Sequence, residues 1–174
     1  DGHFYSYDQQ GNKILLTDKQ FFEVEKVVWS EDNSKVIIEY PDRTKILYDF
    51  TRNESITLTK EIEDADFSNN DRIAYKYMAN DNKWLAVTDP AGEKVSLLEN
   101  LGDKEDYFQV AWSPNKKVVA MYTEPKGLDK SEVFFVGLQG ENFKSLIVDG
   151  THFEGVWSPT GQRLLYSVVS VDNS

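Results

Sequence analysis

The sequence predicts an all-β fold, a β-propeller of four-stranded antiparallel blades, on three observations. An aromatic-serine phrase occurs four times, as Val28-Trp29-Ser30-Glu31-Asp32-Asn33, Asp66-Phe67-Ser68-Asn69-Asn70-Asp71, Ala111-Trp112-Ser113-Pro114-Asn115-Lys116 and Val156-Trp157-Ser158-Pro159-Thr160-Gly161. The aromatic positions 29, 67, 112 and 157 are separated by 38, 45 and 45 residues, the period of propeller blades. Between the copies, short β-branched and aromatic runs alternate with turn residues, and no segment carries the apolar rhythm of an amphipathic helix.

Each element follows from this phasing. The aromatic closes a strand A, and a polar turn leads into strand B at Val36-Ile37-Ile38, Ile73-Ala74-Tyr75, Val118-Val119-Ala120 and Leu164-Leu165-Tyr166. Strand C is expected at Lys45–Asp49, Lys83–Val87 and Glu132–Val136. Turns at Asn53, Pro90-Ala91-Gly92 and Gly140 then lead to strand D at Ser55–Leu58, Val95–Leu98 and Lys144–Ile147. The start of the chain, His3–Tyr7, Gln9–Asn12 and Ile14–Leu16, reads as C, turn and D, whereas its end is an A and B pair.

The expected organisation is a single domain, 1–174, of about four blade equivalents: half blade 1–17, blades 26–59, 65–99 and 109–148, and half blade 155–171. Complementary half blades allow a small closed ring; the abrupt end on Ser170–Ser174 favours an open arc of a larger propeller. Self-association through the open blade edges is expected of such an arc.

Composition narrows the partners. Nineteen Lys and Arg against thirty Asp and Glu give a formal charge of −11, which repels phosphate backbones and anionic lipid headgroups, so neither nucleic acid nor a membrane surface is an expected partner. The chain has no cysteine, which removes disulfides and thiolate metal sites. No apolar run approaches the ~20 residues of a membrane helix. An opening on Asp1 rather than methionine is read as a processed or excised segment.

At Trp112-Ser113-Pro114-Asn115-Lys116-Lys117-Val118-Val119-Ala120 and Trp157-Ser158-Pro159-Thr160-Gly161-Gln162-Arg163-Leu164-Leu165-Tyr166 the chain resembles the bacterial WD-like propeller repeat of TolB-type proteins. The first two copies depart from that pattern, with Glu31-Asp32 and Asn69-Asn70 in place of Pro-Asp. The resemblance implies an extracytoplasmic protein, periplasmic or envelope-associated. The same repeat occurs in the propellers of prolyl-oligopeptidase-like enzymes, so it identifies a blade and not an activity. Trp29, Phe67, Trp112 and Trp157 are expected to wedge between blades, and Ser30, Ser68, Ser113 and Ser158 to cap the following turn.

Catalytic and cofactor signatures are weak or missing. A peptidase-type nucleophile needs a G-x-S-x-G elbow with Asp and His in reach, and no serine here sits in one. Phosphate-cradling loops and EF-hand spacing are missing too. Asp149, His152 and Glu154 offer metal-ligating atoms in one segment, without a second His or Cys, and a polar inter-blade loop is the simpler reading. No catalytic residue, cofactor or metal is assigned.

The functional expectation rests on charge placement. The connections from D to A, taken as 18–26, 60–64, 100–109 and 149–155, hold eleven acids and only the bases Lys19, Lys26, Lys60 and Lys104. Phe21, Phe22, Tyr107, Phe108 and Phe153 lie among them as apolar anchors. The candidate partner-binding face is Glu23, Glu25, Glu63, Asp64, Glu105, Asp106, Tyr107, Phe108, His152, Phe153 and Glu154. The long loop Thr123–Ser131 is expected on the same face. The reading is a non-enzymatic scaffold that binds a protein or peptide, a basic one by charge. Its alternatives are the substrate-gating propeller segment of a larger prolyl-oligopeptidase-like hydrolase and a purely structural repeat module.

Overall fold

The computed structural model describes residues 1–68, 72–79, 81–89, 93–139 and 145–170. The expected turns Asn69-Asn70-Asp71, Pro90-Ala91-Gly92 and Gly140, the strand start at Lys144 and the tail Val171-Asp172-Asn173-Ser174 lie outside these residues. Among the described residues there are sixteen strands, one short 3-10 helix and no α-helix. Among these residues no helix is long and apolar enough to cross a membrane.

The strands are β1 (Tyr5–Tyr7), β2 (Lys13–Leu15), β3 (Lys26–Trp29), β4 (Lys35–Glu39), β5 (Lys45–Asp49), β6 (Glu54–Leu58), β7 (Ile62–Phe67) and β8 (Ile73–Ala79). They continue as β9 (Asn82–Thr88), β10 (Ser96–Asn100), β11 (Phe108–Val110), β12 (Ala120–Pro125), β13 (Lys130–Val136), β14 (Leu146–Asp149), β15 (Thr151–Trp157) and β16 (Leu164–Val169). The 3-10 turn Gly102–Tyr107 precedes β11. Three antiparallel four-stranded sheets, β3-β4-β5-β6, β7-β8-β9-β10 and β11-β12-β13-β14, are accompanied by the two-stranded sheets β1-β2 and β15-β16. These are the three full blades and two half blades of the sequence reading.

Backbone contacts divide the chain into two compact units, Asp1–Lys60 and Glu61–Ser174. In the first, Val36, Ile38 and Tyr48 form a core against Phe4, Phe21, Trp29 and Phe50. Trp29 stacks on Phe50 at 5.5 Å, and Phe4 meets Trp29 edge-on at 5.4 Å, so the β1-β2 half blade is held by aromatic packing worth a few kcal/mol. In the second unit, Leu85, Val87, Phe108, Trp112, Val119 and Val136 share one core. Phe108, Tyr122 and Phe134 stack as a cross-strand ladder at 5.7 and 4.9 Å. A further cluster of Met121, Val133 and Val148 packs on Phe153, Trp157 and Leu164 of the last half blade.

The repeated serine explains the regularity of the first hairpin. Oγ of Ser30, Ser68, Ser113 and Ser158 accepts from the backbone N–H of Lys35, Arg72, Val118 and Arg163, at 2.9 to 3.1 Å. The same four residues pair back through their own N–H with the carbonyls of those partners. Asn33, Lys116 and Gly161, each four residues past the aromatic, take positive φ of 57°, 65° and 66°. An aspartate performs the equivalent service in the second hairpin: Asp8, Asp49 and Asp89 accept from the N–H of Gln10, Thr51 and Glu93 at 2.8 to 2.9 Å.

The structure corrects three expectations. Strand β12 runs to Pro125 and β13 starts at Lys130, so the long Thr123–Ser131 loop contracts to a hairpin turn, with Glu124 opposite Glu132 and an ion pair of 2.7 Å between Lys126 and Glu132. The Pro and Gly that signalled a loop sit at the very end of the strand and in the turn. Val118 and Val119 precede β12 instead of opening it, although Val119 N–H still bonds the Val136 carbonyl. Lastly, segments 60–64 and 149–155 are not mere connections, because β7 begins at Ile62 and β15 at Thr151.

Candidate functional site

In the second unit the inner strands of successive blades, β7, β11 and β15, are tied to one another by side chains. Ala111 N–H is spent on the Val119 carbonyl inside its own sheet, which leaves the N–H groups of Val110 and Trp112 pointing the other way. Asp64 Oδ2 accepts from Val110 N–H at 3.2 Å, and Asp66 Oδ2 from Trp112 N–H at 2.7 Å. Gln109 repeats the arrangement one blade on: Oε1 accepts from Gly155 N–H and Nε2 donates to the Gly155 carbonyl, each at 2.9 Å. Asn115 Nδ2 donates to the Gly161 carbonyl at 2.8 Å and Trp157 Nε1 to the Ala111 carbonyl at 3.1 Å. All these pairs are 46 residues apart, one more than the 45-residue spacing of the aromatics from 67 to 112 to 157.

A cleft of about 510 Å³ opens at the entry ends of these strands. Its walls are Asp64 of β7, Tyr107, Phe108 and Gln109 around the start of β11, Thr123 of β12, and His152, Phe153 and Glu154 of β15. Two one-residue bulges shape it. On β7 the two residues between Glu63 and Asp66 face one, Tyr75, on β8, and on β15 the two residues between Thr151 and Glu154 face one, Val168, on β16. Asp64 and His152 sit in these bulges at φ of 48° and 51°. A bulge bends its strand and re-aims side chains, which turns both residues toward one opening.

Six of the eleven face residues expected from sequence therefore converge: Asp64, Tyr107, Phe108, His152, Phe153 and Glu154. Tyr107 is half exposed, whereas Phe108 is buried on Tyr122 and contributes to the wall as part of the core. Phe153 stacks on Tyr166 at 5.5 Å. Glu63 pairs with Lys83 at 3.3 Å, and Asp64 with Lys76 at 3.8 Å. Counting bases only in the connections overlooked both lysines, which reach the site from β8 and β9. Glu105 and Asp106 lie in the 3-10 turn before Tyr107, and their side chains fall outside the described residues. Glu23 and Glu25 belong to the first unit, where Glu23 borders a separate depression of about 500 Å³ with Phe22, Tyr40 and Asp42.

Gln109 is not among the expected face residues, and Thr123 is expected there only as the first residue of the long loop 123–131. Gln109 has a signal in the repeat: positions 64, 109 and 154 stand 45 residues apart, and each carries a side-chain oxygen acceptor, Asp, Gln and Glu. Asp64 and Gln109 spend theirs on the next inner strand. Glu154 is exposed, and its carboxylate has no protein partner among the described residues. Asp149 is engaged by Lys130 at 2.9 Å. Among the described residues no group of three or more His, Cys, Asp or Glu is placed to hold a metal ion. The site can accept hydrogen bonds and cationic charge beside an aromatic wall.

No family model matches the chain, and no curated protein matches it. Solved structures do. The chain is similar to an oligogalacturonate lyase in complex with manganese, at TM-score 0.64 and 9% identity, over 98% of this chain and 54% of that one. It is similar to Pyrococcus horikoshii acylaminoacyl peptidase at TM-score 0.62 and 9% identity, over 87% of this chain and 29% of the other. The β-propeller domain of the Trilobed protease from Pyrococcus furiosus, described as having an open velcro topology, matches at TM-score 0.57 and 14% identity, over 93% and 57% of the two chains. At these identities the likeness establishes the propeller fold. The chain spans between about a third and three fifths of the length of these proteins.

Proposed function

We propose that this chain is a non-enzymatic β-propeller scaffold that binds a basic segment of a protein or peptide in the cleft across β7, β11 and β15. The observation that carries the reading is the convergence of an uncommitted carboxylate, Glu154, with the half-exposed Tyr107 and the Phe153 ring around one opening of about 510 Å³. An acidic group beside aromatic surface suits a Lys or Arg side chain, whose stem packs on the rings while its head meets the carboxylate. The net charge of −11 favours encounter with cationic partners. The TolB-like repeat supports placing the protein in the extracytoplasmic space or envelope of a bacterium.

The test is a titration of a labelled Lys/Arg-rich peptide, followed by fluorescence anisotropy, against an acidic peptide of equal length. Binding of the basic peptide alone, weakened roughly tenfold or more by high salt and by either Glu154→Lys or Tyr107→Ala, supports the reading. Binding indifferent to salt and to both substitutions defeats it.

A second reading is supported by the comparisons, one of which is a peptidase more than three times the matched length and another the β-propeller domain of a protease. In it the chain is the substrate-gating propeller segment of a larger prolyl-oligopeptidase-like hydrolase. A parent chain bearing a G-x-S-x-G segment and hydrolysing blocked peptides would replace the scaffold reading with this one.

A further inference from the structure

The cleft has a neighbour within the second unit. Further along β7, β11 and β15 lies a depression of about 300 Å³, and Gln109 lines both hollows. The Gln109 amide is fixed by its two bonds to Gly155, so it stands as a rigid sill between them.

The two hollows differ in the hydrogen bonds they offer. In the cleft the Glu154 carboxylate has no protein partner among the described residues. In the second depression the polar groups are engaged or closed off. Asp66 accepts from Phe67 N–H at 2.9 Å on one oxygen and from Trp112 N–H at 2.7 Å on the other. Trp157 Nε1 donates to the Ala111 carbonyl at 3.1 Å, and Ala111 N–H bonds the Val119 carbonyl. Trp112 Nε1 is buried out of reach of solvent. What remains for a ligand is apolar: Val156, which is 65% exposed, with the Pro114 ring and the Trp157 indole beside it. A polar side chain seated there would lose water and gain no partner, whereas an aliphatic one gains burial.

The register of β15 sets the spacing between the two seats. After its bulge the strand pairs regularly with β16, Glu154 opposite Ser167, Gly155 opposite Tyr166 and Val156 opposite Leu165. Glu154 and Val156 therefore stand on the same face of the strand, two residues and about 7 Å apart. An extended segment laid beside β15 presents its own side chains with the same period.

We propose that the cleft and this depression are two subsites of one groove, which takes an extended segment with a Lys or Arg in the first and an aliphatic side chain, two residues away, in the second. The inference rests on the basic-segment reading of the cleft and adds to it a second side chain and a spacing. Glu154 selects the cation by charge, Val156 and Trp157 select its apolar companion by burial, and the fixed Gln109 keeps the two seats apart.

The test is a titration of labelled peptides with blocked ends, in which one Arg in a Gly-Ser background has Leu two residues before or after it, followed by fluorescence anisotropy. One of the two orders is expected to bind about tenfold more tightly than the same peptide with Ser in place of Leu. Moving Leu next to the Arg turns it to the opposite face of an extended chain and is expected to remove the gain. Val156→Thr, which keeps the shape of the side chain and replaces a methyl by a hydroxyl, is expected to cut the gain to about threefold or less. If that variant does not fold, the peptide series on the unaltered protein still decides. Leu and Ser peptides that bind alike in both orders, or a Leu that helps equally at either spacing, would overturn the second subsite and leave the basic-segment reading standing. Arg peptides that bind no better than an acidic control would overturn that reading itself, and this inference with it.

Discussion

Gln109 grips both backbone polar groups of Gly155, accepting from its N–H and donating to its carbonyl at 2.9 Å each. A side chain here takes the place of a neighbouring strand, and it does so between two inner strands whose sequence positions differ by 46. Replacement by Leu keeps the volume but leaves two part-buried backbone groups without partners. Gln109→Leu is expected to cost about 2 kcal/mol. Urea unfolding of the second unit would report it as a lower midpoint with little change in slope.

Gly155 also has to be small. A Cβ there would lie 3.1 Å from Met121 Cε and from the Phe153 ring, inside the contact that closes the last half blade onto its neighbour. Gly155→Ala is expected to destabilise by about 1 kcal/mol by overpacking. Because Met121 is flexible and Phe153 is not, Gly155→Ala combined with Met121→Leu should recover only part of the loss, measured by the same unfolding transition.

The four repeated aromatics look alike in sequence, but they are not chemically equivalent in the structure. Trp157 Nε1 donates to the Ala111 carbonyl at 3.1 Å, whereas Trp112 Nε1 is buried without a hydrogen-bond partner among the described residues. Trp157→Phe loses ring area and a hydrogen bond. Trp112→Phe loses ring area but removes an orphaned donor, and Phe67 already fills that place in the preceding blade. The substitution at 157 is therefore expected to cost about 1 kcal/mol more than the one at 112, by thermal or urea unfolding of the two variants side by side. Equal losses would show that the Trp157 bond contributes nothing.

The architecture was legible because two signals repeat: the aromatic-serine phrase and the turn residues after it. Ser30 and Ser113 bond their turns as the pattern implies, since that bond depends only on neighbours within five residues. What failed was the boundary between connection and strand at Ile62–Asp64 and Thr151–Glu154. A bulge inserts one residue, breaks the alternation of apolar and polar positions, and makes a strand read as a loop. The cleft was half legible for a related reason. Asp64 and Glu154 stand in the acidic connections, but Lys76 pairs with Asp64 and Lys83 with Glu63 across the sheet, from strands that hold none of the acids counted there. The role of Gln109 was written at the 45-residue period, in the series Asp64, Gln109 and Glu154, in amide and carboxylate rather than in charge alone.

The first blade carries an acid-sensitive turn. Asp32 Oδ1 accepts from Ser34 N–H at 3.0 Å and from the hydroxyls of Ser30 and Ser34 at 2.8 Å each. These bonds, the backbone one from Ser34 foremost, hold its carboxyl down from 3.8 to about 2. The folded state thus binds its proton less readily than the unfolded chain, so the stabilisation is full above pH 3.8 and is lost as pH falls toward 2. Exposure to solvent at the turn screens the effect, leaving about 1 kcal/mol. Asp32→Asn should lower stability at neutral pH by that amount and flatten the acid limb of the stability curve between pH 4 and pH 2, leaving the two proteins nearly equal at its lower end. Ser30→Ala should reproduce part of the flattening, because it removes one of the three donors. An Asp32→Asn variant whose acid limb runs parallel to that of the parent protein would mean that the turn gains nothing from the charge.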